Sequence, residues 1–165
     1  FVIVADHCAS VAGKIDLPVE KYHIPLIFYA PKMIKPGNHK LLASQIDIAP
    51  TLLALLHARG SEQFFGQNLF DMTHYKERAF ISNYQSLGYY TDDQLVVLSP
   101  RREVQQYFID PDSFQAKPTA IDVRLMDQAI AYYQSASRAY KTGMLHEVVL
   151  SSSNDDPGIS AFNQD

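Results

Sequence analysis

Several features that would assign the chain to a class are scarce or absent. Its 165 residues include one cysteine, Cys8, so no disulfide can form within the chain. We interpret Cys8 as a small buried side chain, with a free thiol near a site as the alternative. No run approaches the roughly 18 apolar residues of a transmembrane helix. The net charge of −4 comes without a basic cluster, so we expect no nucleic-acid partner.

The chain also lacks an initiating methionine and starts inside an apolar run. Residues 1–6 and 24–30 have the pattern of strands buried on both faces, which is typical of parallel sheets. A sheet of two strands is too small to bury both faces, and parallel neighbours would normally come from earlier βα units. We therefore expect the chain to be part of a larger protein. Alone, it should expose an apolar sheet edge and self-associate.

An acid and an imidazole, Asp6 and His7, directly follow the first predicted strand. Ligands of open α/β sheets collect beyond the carboxyl ends of the strands. A carboxylate with a neutral imidazole suits a divalent cation such as zinc or manganese. Both side chains can bind one ion only if the strand ends before them, and the small residues after Cys8 favour a loop there. The alternative is that Asp6 caps a turn and His7 is an ordinary loop residue.

A third candidate, His23, precedes the second predicted strand and could face the same crevice as His7. It could contact a substrate oxygen, protonate a leaving group or add a metal ligand. The alternative is a polar residue that opens a strand and is hydrogen-bonded to the backbone.

Four segments occur in one order: Asp6-His7, Gly13-Lys14, HIPLIFYAP at 23–31 and SQIDIAPTLL at 44–53. This series resembles the carboxyl-terminal part of the sulfatase-like enzymes of the alkaline phosphatase superfamily. Within that group it is most similar to the lipoteichoic acid synthase and phosphoglycerol transferase branch. The resemblance is good over residues 1–57 and fainter to about residue 112.

The resemblance implies an α/β fold, namely the carboxyl-terminal part of an alkaline-phosphatase-like parallel-sheet sandwich with a small antiparallel sheet and a long C-terminal helix. It implies that Asp6 and His7 hold a divalent ion (Mn²⁺, Zn²⁺, Mg²⁺ or Ca²⁺). A nucleophilic Thr, Ser or modified Cys would lie on an earlier strand, outside this chain. Lys14 would hold the anionic ester group; otherwise it is a solvated surface lysine.

The resemblance also suggests the substrate and the cellular location. Sulfatases usually carry Asp-Asn near the metal, and the Asp6-His7 form is closer to the phosphotransferases, so it favours phosphoglycerol or a similar lipid-derived head group. An arylsulfatase-type enzyme and a non-catalytic relative that binds lipid or protein are the alternatives. Membrane-anchored relatives imply an anchor in an earlier part of the protein and a catalytic domain in the periplasm or at the cell surface. The chain alone should be inactive.

Four regions follow along the chain. Residues 1–78 form the α/β part, in which Asp47 is predicted to cap a helix with an apolar stripe. Residues 79–117 form an antiparallel sheet, with a turn at Thr91-Asp92-Asp93. Residues 118–150 form a packing helix, capped by Thr119 and stopped by Gly143. Residues 151–165 form a disordered tail. The predicted strands of the sheet are Ala79–Tyr84, Leu87–Tyr90, Gln94–Leu98 and Val104–Ile109.

Overall fold

The structure, a computed structural model, describes residues 1–8, 17–58 and 64–144. It contains a two-stranded sheet, a short helix, a five-stranded antiparallel sheet and a long C-terminal helix. The predicted α/β class, with its small antiparallel sheet and long helix, is confirmed. Lys14 and the predicted tail 151–165 lie outside the described residues.

Strands β1 (Val2–Val4) and β2 (Leu26–Phe28) pair antiparallel, with Val4 opposite Leu26. The Phe1 ammonium extends the ladder by donating to the Tyr29 carbonyl at 2.8 Å. The unbroken apolar pattern predicts parallel neighbours from earlier strands and gives no direction for the mutual pairing of these two strands, which the structure shows to be antiparallel. A parallel pair needs a crossover connection, usually an α-helix, whereas the described part of this connection contains only a 3₁₀ helix.

The two-stranded sheet exposes apolar side chains. Phe1 is 89% exposed, Ile3 58% and Ile27 51%. Ile27 lies directly opposite Ile3 in the register and Phe1 is two residues before Ile3, so these three side chains lie on one face of the sheet. Self-association of the chain stays a prediction, and this surface is where we expect it.

The C-terminal half is a five-stranded antiparallel meander in chain order. Four of its strands match the predicted ones. The fifth, β7, was missed because Ala-Lys-Pro is too short and carries a proline, which is confined to edge positions. The strands are β3 (Ala79–Ser82), β4 (Leu87–Thr91), β5 (Gln94–Ser99), β6 (Glu103–Ile109) and β7 (Ala116–Pro118).

Both faces of the meander are covered. Leu95 and Val97 pack on one face with Leu17, while Val96 faces helix α2 (Val123–Lys141) on the other. The alternation along β5 follows the two-residue period of a strand, so each face buries its own apolar set. The long helix therefore packs on the sheet, as the sequence predicts.

The N-cap of α2 is Asp122 rather than the predicted Thr119. The Asp122 carboxylate accepts the backbone N–H groups of Arg124 and Leu125. Thr119 is instead held by its own N–H, which donates to the Gln106 carbonyl at 2.9 Å and continues the sheet. The helix starts three residues later than predicted because β7, which precedes it, was not recognised.

Helix α1 (Ile48–Leu55) follows a 3₁₀ helix over Gln45–Asp47. The predicted capping of α1 by the Asp47 side chain is wrong, because that carboxylate forms no cap hydrogen bond to α1. It belongs to a capping box with Ser44 at the start of the 3₁₀ helix and is completely buried. Its main partner lies 31 residues away in sequence, which no local pattern can show.

Candidate functional site

The loop after β1 carries Asp6 and His7. Because β1 ends at Val4, neither residue is held in the alternating geometry of a strand. One carboxylate oxygen of Asp6 accepts the backbone N–H of His7 at 2.9 Å, and the other lies 3.6 Å from His7 Nε2. The side chains are 89% and 78% exposed, respectively. The structure thus places the two groups on the same side of the chain, facing solvent.

The hydrogen bond of the His7 ring fixes which nitrogen is free. His7 Nδ1 lies 2.7 Å from the Cys8 carbonyl oxygen. A carbonyl oxygen can only accept, so Nδ1 carries the hydrogen and, in the neutral ring, Nε2 keeps its lone pair. This bond to the backbone, together with the Asp6 carboxylate, raises the pKa of the His7 imidazole. Metal-binding histidines commonly have this arrangement, in which one ring nitrogen donates to a fixed oxygen and the other faces the ion.

The donor set of the loop fits a divalent cation in part. Two ligand bonds of about 2.1 Å can span the 3.6 Å between Asp6 Oδ2 and His7 Nε2. A carboxylate oxygen with an imidazole nitrogen suits zinc or manganese. Within residues 1–8, 17–58 and 64–144, no group of three or more His, Cys, Asp or Glu side chains is placed to hold an ion. Asp6 and His7 would therefore supply only two ligands of a set, and their binding of metal stays a prediction.

An open cleft of about 440 Å³ adjoins this loop. The antiparallel pairing of β1 and β2 sets the end of one strand beside the start of the other, so His7 and His23 line the same cleft. Of the residues singled out from sequence, the structure therefore brings His23 to His7. The cleft is lined by Ala5, His7, Cys8, Lys21, His23, Ile24 and Pro25.

Two lining residues differ from the sequence interpretation. Cys8 was expected to be a buried side chain, but it is a partly exposed free thiol on the cleft wall, because the chain leaves the sheet after Val4. Lys21 was not identified from sequence, since one lysine in a polar stretch has no distinguishing pattern. It lies on the 3₁₀ helix Val19–Tyr22 and brings a positive charge to the cleft.

A buried ion pair supports the region behind the loop. Arg78 donates to the Asp47 carboxylate through both terminal nitrogens, at 2.8 and 2.7 Å, and the two side chains are 1% and 0% exposed. The same carboxylate accepts the backbone N–H groups of Ser44 at 2.9 Å and Gln67 at 2.7 Å. The pair thus joins the start of α1, the start of the meander and the loop at 64–69. Asp47 is a structural anchor and not a metal ligand.

Comparison with known proteins shows what this region is similar to. Residues 1–58 match the Sulfatase family model. The matched segment contains the two predicted metal ligands and the cleft histidine. The structure is also similar to a protein in the alkaline phosphatase superfamily from Vibrio parahaemolyticus, with a TM-score of 0.77 and 35% sequence identity. That similarity covers 87% of this chain and 35% of the other, so the chain spans about a third of the length of this solved structure.

Residues 1–58 are thus similar to sulfatases, and the structure is similar to a protein of the predicted superfamily. The narrower assignment to the lipoteichoic acid synthase branch stays a prediction. None of the helices in the part that the structure describes combines the length and hydrophobicity needed to cross a bilayer.

Proposed function

We propose that the chain forms part of a metal-dependent phosphotransferase or hydrolase that acts on phosphate esters of the phosphoglycerol type. The observation that carries the proposal is the Asp6-His7 pair, 3.6 Å apart at the end of β1, within a segment that matches the Sulfatase family model. The tautomer of His7, fixed by the Cys8 carbonyl, is the one that presents Nε2 to an ion. A divalent cation bound there would supply Lewis-acid stabilisation of negative charge.

The other residues of the cleft have separate tasks in this proposal. His23 contacts an ester oxygen or donates a proton to the leaving group, since its ring lines the same cleft as His7. Lys21 lines the cleft and contributes positive charge toward the anionic ester. The same role for Lys14 rests on the family resemblance alone. The nucleophile belongs to another part of the enzyme. A total length about two and a half times that of this chain, as in the solved relative, leaves room for the nucleophile. By the family resemblance, the longer protein also carries a membrane anchor and holds its catalytic domain outside the cytoplasm.

A sulfate ester is the second candidate substrate, because the matching family model is named Sulfatase. The two substrates are distinguished by assaying the longer protein with nitrophenyl phosphate and nitrophenyl sulfate. Faster turnover of the phosphate supports the proposal, and faster turnover of the sulfate contradicts it. The isolated chain should hydrolyse neither ester, because the nucleophile is not part of it.

Metal binding can be tested on the longer protein, and this part of it offers a matched control. Mn²⁺ binding is measured by calorimetric titration for the wild type and for Asp6→Ala. The control is Asp71→Ala, because Asp71 forms a second exposed Asp–His pair, 3.0 Å from His74. We expect Asp6→Ala to abolish binding and Asp71→Ala to leave it unchanged. No binding to the wild type, or an equal loss in both variants, would favour a non-catalytic relative.

A further inference from the structure

The end of β1 is tied to a distant part of the chain by Gln45. Its side-chain amide nitrogen lies 2.9 Å from the Ala5 carbonyl oxygen and 3.1 Å from the Asp6 carbonyl oxygen. Both partners can only accept, so the amide must present its NH₂ group to them, and each N–H has its own carbonyl. Gln45 therefore fixes the peptide groups on both sides of the Asp6 side chain.

The position of Gln45 is itself fixed on both sides. Ser44, which precedes it, accepts the Phe80 N–H through its hydroxyl at 3.0 Å. Asp47, which closes the same 3₁₀ helix, is held by the buried guanidinium of Arg78. Few conformations are open to a helix anchored at both ends, so the Gln45 side chain starts from a rigid support.

The hydrogen bonds of Gln45 join residues far apart in sequence, unlike the two hydrogen bonds that Asp6 and His7 make within the loop. The bond of the Asp6 carboxylate to the His7 N–H and that of the His7 ring to the Cys8 carbonyl each join adjacent residues. Such local bonds shape the loop but do not fix its direction relative to the rest of the protein. Gln45 reaches across 40 and 39 residues and supplies that direction.

We propose that Gln45 is a positioning residue, which holds the Asp6-His7 loop in the orientation that binds the metal ion. This inference rests on the proposed function for its consequence, but its structural part holds without metal. The polar partner of a metal ligand usually bonds to the ligating side chain, and its loss costs about 10- to 100-fold in metal affinity. Here the partner bonds to the backbone that carries the ligands, and we expect a loss near the lower limit.

The decisive variant is Gln45→Met, which keeps the length of the side chain and removes both N–H donors. Gln128→Ala serves as the control, because Gln128 is an exposed glutamine on α2. The first measurement is the ¹⁵N NMR order parameter of Asp6 and His7 in the metal-free chain. The second is the dissociation constant of the longer protein for Mn²⁺. We expect Gln45→Met to lower the order parameters and to weaken Mn²⁺ binding about tenfold, while Gln128→Ala changes neither.

A Gln45→Glu variant separates positioning from charge. A carboxylate cannot donate to the two carbonyls, so this variant should also lose order at Asp6 and His7 and bind Mn²⁺ more weakly. Unchanged order parameters in both Gln45 variants, or tighter Mn²⁺ binding by Gln45→Glu, would overturn the inference. If the wild type binds no Mn²⁺ and the order parameters still fall, the positioning role of Gln45 holds and the proposed function fails.

Discussion

Removal of the Arg78 guanidinium should destabilise the chain more than removal of any exposed charged side chain in its described part. Arg78→Met keeps much of the apolar volume and deletes two hydrogen bonds, of 2.8 and 2.7 Å, to a carboxylate that is completely buried. A hydrogen bond to a charged group contributes about 1.5–3 kcal/mol. Two such bonds give about 3–6 kcal/mol, close to the roughly 3–5 kcal/mol lost when one partner of a buried pair is removed.

The partner left behind determines how the two single variants differ. After Arg78→Met, the Asp47 carboxylate keeps the N–H groups of Ser44 and Gln67. After Asp47→Asn, the buried guanidinium loses its counter-charge, and its Nε already has no hydrogen-bond partner in the structure. We therefore expect Asp47→Asn to destabilise the chain at least as much as Arg78→Met. The double variant should cost less than the sum of the two by about 1 kcal/mol or more, because both charges are then gone.

The assay is urea denaturation of the dilute chain, followed by far-ultraviolet circular dichroism because the sequence has no tryptophan. The matched control is Asp71→Asn, in an Asp–His pair whose side chains are 44% and 82% exposed, where the loss should stay below about 1 kcal/mol. The reasoning is refuted if Arg78→Met costs no more than Asp71→Asn, or if the costs of the two buried substitutions are simply additive.

Three further outcomes are expected. Gly66→Ala should destabilise the chain by about 1–3 kcal/mol in the same assay. The added Cβ would lie 1.9 Å from the Ile46 carbonyl oxygen, so the backbone must shift. A neutral effect would contradict this packing. Burial and the Asp93 carboxylate raise the pKa of Tyr90 from 10.0 to about 12. The unfolded chain therefore loses this proton first, and the free energy of unfolding should fall as the pH rises from about 10 to about 12. Tyr90→Phe should make that fall smaller. Light scattering should show self-association of the wild type that Ile3→Lys and Ile27→Lys reduce; a monomeric wild type would contradict the expectation from the exposed sheet.

The parts of the fold that could be predicted are those encoded by neighbouring residues. The turn at Thr91-Asp92-Asp93 is an example, since two acidic residues between apolar alternating runs favour a tight hairpin. In the structure Asp92 and Asp93 have φ angles of 47° and 58°, as a two-residue hairpin turn of this kind requires. The meander and helix α2 follow from such local signals, and so does the loop position of Asp6 and His7.

What could not be predicted depends on contacts between residues far apart in sequence. Asp47 precedes a helix, so capping accounts for it locally, and nothing near it indicates a guanidinium at residue 78. The bond from Gln45 to the end of β1 is hidden in the same way, because an exposed glutamine in an amphipathic segment has no distinctive pattern. Both residues lie in the segment SQIDIAPTLL, one of the four on which the family resemblance rests. Their contacts provide physical reasons for a polar side chain at each position.

The pairing direction of β1 and β2 is the point at which the fold and the site depend on each other. Had the two strands run parallel in the same alignment, the residues before β2 would lie beside the start of β1. His23 would then be separated from His7 by the length of the strand, about 3.3 Å for each residue. In the observed antiparallel pair Leu26 lies opposite Val4, so the residues that precede β2 continue alongside those that follow β1. The antiparallel pairing, whose direction the sequence left open, therefore places both predicted histidines on a single cleft.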